Sequence, residues 1–232
     1  MWGYILRPGI DSAIDATAGR GGDASELARI LFADFDRATS RSHLVCIDVQ
    51  QEACDETLAA VKEVVPNEAM ERIHVVHGSH APLSTPPMNE ASVALVAFNL
   101  GFLPASDKQV QTTSSTTLLA LVDACNTLRV GGLLSVMTYP GSNAEEHDVV
   151  KGFLEGLALL SSKTQNWRHY VDNLEVRNTS SLKQNEDWRG VLARSLERVS
   201  EFRGQGTTWR VYEHRKLGWV DAPTLYTAIR IK

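Results

Sequence analysis

Through the first 160 residues, short and nearly unbroken apolar runs alternate with stretches whose apolar positions recur at helical spacing. Residues 12–16, 44–48, 73–77 and 92–99 read as four buried strands. Helices are predicted over 23–35, over 51–65 (stopped near Pro66), and over 112–128, where Leu118, Leu119, Leu121, Val122 and Cys125 share a stripe. Gly131-Gly132 is expected to end that last helix and open a fifth strand over 133–139. Continuous apolar strands separated by helices imply a parallel sheet covered on both faces. After a helix beginning near Ala144 the regularity breaks. Residues 161–207 are polar, with one predicted helix over 187–202. Two last strands, 209–214 and 224–231, are joined through Gly218 and Pro223 and read as an antiparallel hairpin closing the sheet. The expectation is a single α/β domain over 1–232 with about seven strands, most of them parallel, and a basic insertion at about 161–207.

The charge changes this picture by its distribution. The chain carries 23 Lys plus Arg against 28 Asp plus Glu, a net charge of -5. Residues 1–150 hold 9 basic and 19 acidic side chains, net -10, and residues 151–232 hold 14 and 9, net +5. A polyanion is therefore disfavoured by the total and allowed by the split. Cys46, Cys54 and Cys125 are odd in number and lack metal or redox spacing, which suits buried thiols in a reducing compartment. With no His or Cys pair at ligand spacing, no metal site is expected. No apolar run is long enough for a membrane span. The expected compartment is the cytoplasm, or an organelle if a transit peptide has been removed.

Asp15-Ala16-Thr17-Ala18-Gly19-Arg20-Gly21-Gly22-Asp23 follows the first strand and opens the first helix, where open α/β sheets bind nucleotides. Gly19-x-Gly21-x-x-Ala24 also matches the dinucleotide fingerprint, so an NAD-dependent oxidoreductase is a rival. Asp48, however, ends the second strand 29 residues after Gly19, beyond the spacing of about 20 in that fingerprint. A carboxylate at the strand end before the glycines and a second one ending the next strand suit S-adenosylmethionine, with its ammonium and ribose hydroxyls. An ordinary turn with a capping Asp is the plain alternative. Asn99-Leu100-Gly101-Phe102-Leu103-Pro104 places a polar residue at the fourth strand's end, where substrate would meet cofactor.

Taken together with Asp48-Val49-Gln50, His77-Gly78-Ser79-His80, Asp107-Lys108 and Tyr139-Pro140-Gly141, these segments resemble the rRNA methylase family, over roughly residues 8–160 and again in the last two strands. Its characterised members are tRNA wobble-uridine methyltransferases that methylate the amine of 5-aminomethyl-2-thiouridine. The resemblance implies a class I methyltransferase (Rossmann-like) fold. It implies S-adenosylmethionine held by Asp15, Thr17, Gly19, Gly21, Asp23, Asp48, Gln50, Ser79, His80, Asn99 and Gly101. Asn99, Asp107 and Tyr139 become the candidates for orienting the amine. The implied partner is the tRNA anticodon stem-loop, and a homodimer is among the assemblies it allows. Three departures stand out: Gly19-Arg20-Gly21-Gly22-Asp23 replaces Gly-Asn-Gly-x-Asp, Ser142 stands where the family has His, and the family's Asn-Gln between the last strands is lost around Leu217-Gly218.

Methyl transfer to an amine needs in-line alignment and a free lone pair. For RNA, Arg168, Arg177, Arg189, Arg194, Arg198, Arg203, Arg210 and Arg215 are interleaved with Trp167, Tyr170, Trp188, Trp209 and Trp219, a mixture suited to phosphate contact and base stacking. The plain reading of 187–202 is an amphipathic helix, with Arg194 and Arg198 in water and Trp188, Leu192 and Leu196 packed. Other classes left open are a methyltransferase for rRNA or a small amine and a non-catalytic module binding RNA or protein.

Overall fold

The computed structural model describes residues 2–83, 91–101, 114–160, 162, 164–175, 188–201, 206–219 and 221–232. In chain order the elements are β1 (Ala13–Asp15), α1 (Gly22–Leu31), β2 (Leu44–Asp48), α2 (Gln51–Lys62), β3 (Ile73–His77), β4 (Val93–Asn99), α3 (Ser114–Thr127) and β5 (Leu128–Thr138). They continue with α4 (Ala144–Leu159), α5 (Trp167–Asp172), α6 (Trp188–Ser200), β6 (Trp209–Arg215) and β7 (Thr224–Arg230). The sheet order is β3-β2-β1-β4-β5-β7-β6, with β3 through β5 parallel and β7 antiparallel to both β5 and β6. The hairpin joins the sheet through its second strand, because β7 lies between β5 and β6.

Side-chain alternation sorts the strands onto two cores. Ile14, Val45, Ile47, Val96, Phe98, Leu134, Val136, Tyr226 and Ala228 face α3, α4 and α6. Ala13, Leu44, Cys46, Leu95, Ala97 and Leu133 face the α1 layer. A strand sandwiched between two helical layers is apolar at every position, which is why β2 and β4 read as unbroken runs.

Two expectations need correction. The fifth strand begins at Leu128 rather than Leu133, directly after α3, and Leu128 pairs with Val93. Gly131, at φ 75°, sits in an irregularity within the strand, between the Val93 and Leu95 pairings, instead of ending a helix. The polar stretch after α4 also contains the short helix α5, which its composition does not announce. Helix α6 lies within the predicted 187–202, whose ends, Asp187 and Phe202, fall outside the described residues. As expected, Arg194 and Arg198 are exposed while Leu192 and Leu196 are buried. Gly156 of α4 allows close approach: a Cβ there would stand 2.5 Å from Leu196 Cδ1. The helix is thus part of the core on this face.

Candidate active site

The parallel strands end together, and their carboxyl ends carry most of the polar residues singled out from the sequence. Asp15 closes β1 and is 1% exposed. Its Oδ1 accepts from the Thr17 backbone N–H at 3.3 Å, while Oδ2 is buried without a well-formed hydrogen bond among the described residues, the Ala24 backbone N–H exerting only a downward pull on the carboxyl's pKa. Burial, and then the nearby Asp23 and Asp48 carboxylates, push its pKa up to about 7. Burial likewise raises Asp23, in the first turn of α1.

Asp48, at the end of β2, organises the loop around Asp15. Its Oδ2 accepts from Gly19 N–H and its Oδ1 from Gln50 N–H, both at 2.9 Å. Thr57 of α2 donates to the Gly19 carbonyl at 3.0 Å, so the glycine turn is held from both sides. Gly21 caps α1 at φ 79°, and a Cβ there would lie 2.8 Å from Thr57 Cα. Only glycine meets both demands, the left-handed backbone and the close helix.

Thr17 links this half of the site to the next. Its Oγ1 accepts from the Asn99 backbone N–H at 2.6 Å. Asn99 is exposed at the end of β4, and its Oδ1 accepts from the Tyr139 hydroxyl at 2.8 Å. Gly101 stands beside the Tyr139 ring. Behind them, Thr138 Oγ1 lies 2.8 Å from His147 Nδ1, and the buried Glu146 accepts from Thr117 at 2.8 Å, tying α3 and α4 to the end of β5.

His80 follows β3. Burial lowers its pKa, outweighing the upward pull of Asp48, so the ring is neutral near pH 7. It meets Phe98 edge-on at 6.0 Å, and its Nε2 is buried without a partner among the described residues. Ser79 is exposed, with its Oγ accepting from Ala81 N–H. Asp107 lies outside the described residues.

A pocket of about 300 Å³ opens between the N-terminal turn, α1 and the ends of β4, β5 and β7. Asp23, Glu26, Trp2, Asn99, Met137 and Leu225 are among its walls. Of these, Trp2, Glu26, Met137 and Leu225 were not anticipated from the sequence, nor was Thr57. A buried polar residue on the inner face of α2 is the one signal that marks Thr57. Met137 and Leu225 become site residues only through strand order, and Trp2 and Glu26 through the placing of the N-terminal turn and α1 beside those strand ends.

S-adenosylmethionine fits these residues. Three carboxylates crowd one strand-end region, and a cation there relieves their mutual repulsion. Asp15 Oδ2 and His80 Nε2 are buried polar atoms without a hydrogen-bond partner among the described residues, and each Asp48 oxygen retains acceptor capacity beyond its one backbone donor.

Comparison with known proteins agrees with the architecture. Residues 44–180 match the family described as "Putative rRNA methylase". A chloroplast tRNA (mnm(5)s(2)U34)-methyltransferase of Arabidopsis thaliana is 33% identical over 159 residues. That match covers 68% of this chain and 57% of the relative, so the chain aligns with little more than half of the plant protein. The crystal structure of a Clostridium thermocellum "putative rRNA-methylase" superposes with a TM-score of 0.65 at 19% identity, covering 99% of this chain and 92% of the other. A Streptococcus mutans "putative methyltransferase" in complex with SAH gives 0.62 at 20% identity, covering 98% and 92%. The fold is the class I methyltransferase fold, and with its family match spanning more than half its length the chain belongs to the "Putative rRNA methylase" family.

Proposed function

We propose that this protein is an S-adenosylmethionine-dependent RNA methyltransferase, whose substrate is the amine of 5-aminomethyl-(2-thio)uridine at the tRNA wobble position. The observation that carries the reading is the buried Asp15 carboxylate, raised to a pKa of about 7 and with one oxygen unpartnered among the described residues, beside the turn that Asp48 holds. Such a group calls for a cation. The name of the Arabidopsis relative supports the finer substrate, and the word chloroplastic in it supports an organellar setting. No described helix is long and apolar enough to cross a membrane.

In this reading Asp15, Thr17, Gly19, Gly21, Asp23, Asp48, Gln50, Ser79, His80, Asn99 and Gly101 line the cofactor side. S-adenosylmethionine supplies the electrophilic methyl group on a sulfonium. Asp15 meets positive charge, the Asp48 oxygens accept from ribose hydroxyls, and neutral His80 offers Nε2 to the base. On the substrate side Tyr139 fixes the Asn99 amide. The second lone pair of Asn99 Oδ1 can accept an amine N–H while leaving the amine's own lone pair free. Asp23 and Glu26 give the adjoining pocket a negative wall that attracts the protonated amine before it loses its proton. We treat the chain as one catalytic domain, in which the basic segment after α4 contributes α5 and α6.

Nucleoside mass spectrometry of tRNA from cells lacking the protein tests the substrate. An unchanged ratio of aminomethyl to methylaminomethyl wobble uridine would exclude it. Calorimetry with S-adenosylhomocysteine and NAD tests the cofactor, and binding of NAD alone would return the oxidoreductase alternative.

A further inference from the structure

On the side facing α1, the sheet is covered unevenly. Over β1 and β2 the α1 layer packs closely. Farther along, Leu133, Ser135 and Thr227 of β5 and β7 are still buried, the N-terminal turn with Trp2 and Gly3 borders the pocket at Leu225, and on β6 Arg210, Tyr212 and His214 are exposed. The opposite face of these strands is filled by α3, α4 and α6.

Register places a continuous row on this side. Asn99 pairs with Met137, Met137 with Leu225, and Leu225 with His214. In the next row Ala97, Ser135 and Thr227 are buried and Tyr212 alone is exposed, and the row below ends in the exposed Arg210. At about 4.8 Å per strand, His214 lies roughly 14 Å from Asn99, along a row whose two ends are exposed and whose middle, Met137 and Leu225, is half-buried. His214 and Thr227 share this face, their side chains 3.2 Å apart, and the Tyr212 and His214 rings are 6.5 Å apart. Tyr212 is 50% exposed, Arg210 and His214 are exposed, and Glu213 points to the other side. Beyond β6, at the same end of the sheet as Asn99, the exposed Trp219 carries Lys216 over its ring at 4.3 Å.

Other parts of the basic segment are committed elsewhere. Trp209 is buried, Arg168 pairs with Glu197, and Arg189 donates to the Leu174 carbonyl. Arg177 and Arg203 lie outside the described residues.

We propose that the exposed face of β6, continued toward Asn99 by the half-buried Leu225 and Met137, is a platform for the single-stranded RNA flanking the target nucleotide, with Tyr212 stacking on a base and Arg210 and His214 meeting phosphates. This rests on the function proposed above. Charge complementarity carries the choice of occupant. Acidic Asp23 and Glu26 line the pocket beside Asn99 and a basic, aromatic strand forms the far edge of the sheet, a pairing that matches an amine-bearing nucleoside attached to a polyanion.

The test uses the full chain and a fluorescent anticodon stem-loop RNA. Tyr212→Ala and Arg210→Glu are each expected to weaken RNA binding at least fivefold, the lower end of what a lost base stack costs. S-adenosylhomocysteine affinity and melting temperature should stay at wild-type values, and Tyr212→Phe should bind RNA normally. Unchanged RNA affinity in both variants, with wild type binding, would overturn the platform and leave the cofactor reading standing. Sedimentation showing that either variant splits a wild-type dimer would assign the face to a second copy and overturn it as well. If wild type neither binds the RNA nor transfers methyl to it, the underlying function fails instead.

Discussion

Tyr139, just past the end of β5, donates its hydroxyl proton to Oδ1 of Asn99, the last residue of β4, at 2.8 Å. The two residues are 40 apart in sequence and meet because parallel strands end in register. The bond sets which way the Asn99 amide faces and leaves one acceptor lone pair and two N–H donors for whatever sits above the strand ends.

Tyr139→Phe removes that constraint and little else. Methyl transfer should fall about tenfold in kcat, a loss of ~1.4 kcal/mol in transition-state stabilisation. S-adenosylhomocysteine affinity should change less than about twofold, because on the cofactor side Tyr139 stands against Asn99 and Gly101, while the carboxylates lie at the ends of β1 and β2 and in α1. An equal loss of cofactor binding, measured by calorimetry, would place Tyr139 on the wrong side of the site.

Asp48→Ala should weaken S-adenosylhomocysteine binding by at least tenfold and also lower thermal stability. The second effect follows because Gly19 N–H and Gln50 N–H lose their acceptor, at about 1–3 kcal/mol. Asp48→Asn keeps one acceptor oxygen and should recover part of the stability but not the ribose contacts.

Asp15 makes stability and binding depend on pH in opposite senses. Its proton is held more tightly folded than unfolded, so its contribution to stability is complete below pH ~4, declines as pH rises, and is gone above about 7. Asp15→Asn should therefore stabilise the free protein at pH 8 relative to wild type, on the order of 1–3 kcal/mol, and hardly at pH 4. Wild-type affinity for S-adenosylhomocysteine should rise between pH 6 and pH 8 as the carboxylate ionises. Calorimetry at several pH values should find that rise flattened in Asp15→Asn.

Gly21→Ala forces a side chain into left-handed backbone and against Thr57. The cost should be ~2–4 kcal/mol, or about 4–16 °C in Tm for a domain of this size. Gly22→Ala, one residue on, meets open space and serves as the control.

Thr117→Val leaves the buried Glu146 carboxylate without one of its donors, beside the Asn143 cap of α4. A loss of about 1–3 kcal/mol by chemical denaturation is expected. Methylation by the folded fraction should persist, since Glu146 supports the strand end from behind.

Local rules carry a long way here. The run Leu44-Val45-Cys46-Ile47-Asp48 reads as a doubly buried strand ending in a carboxylate because both statements depend only on neighbours in sequence. Strand β5 shows where that stops. Gly131-Gly132 marks a turn in isolation, yet pairing of Leu128 with Val93 draws the preceding residues into the sheet and converts the glycines into an irregularity within it. The arginine-rich tail is similar. Composition cannot distinguish Arg168, neutralised by Glu197, from Arg210, exposed on β6.

The sequence by itself determined the period of each element, the glycine turn after the first strand, the carboxylates at the ends of β1 and β2, and the uneven charge of the two parts of the chain. Only the tertiary structure decided that Asp15 keeps an oxygen unpaired among the described residues, that Tyr139 restrains Asn99, and that β7 enters the sheet ahead of β6. The last of these sets Asn99 and His214 on one surface. The physical reason is that hydrogen-bond partners across strands follow from sheet order and register, and those are settled by burying two apolar layers at once rather than by any short stretch of chain.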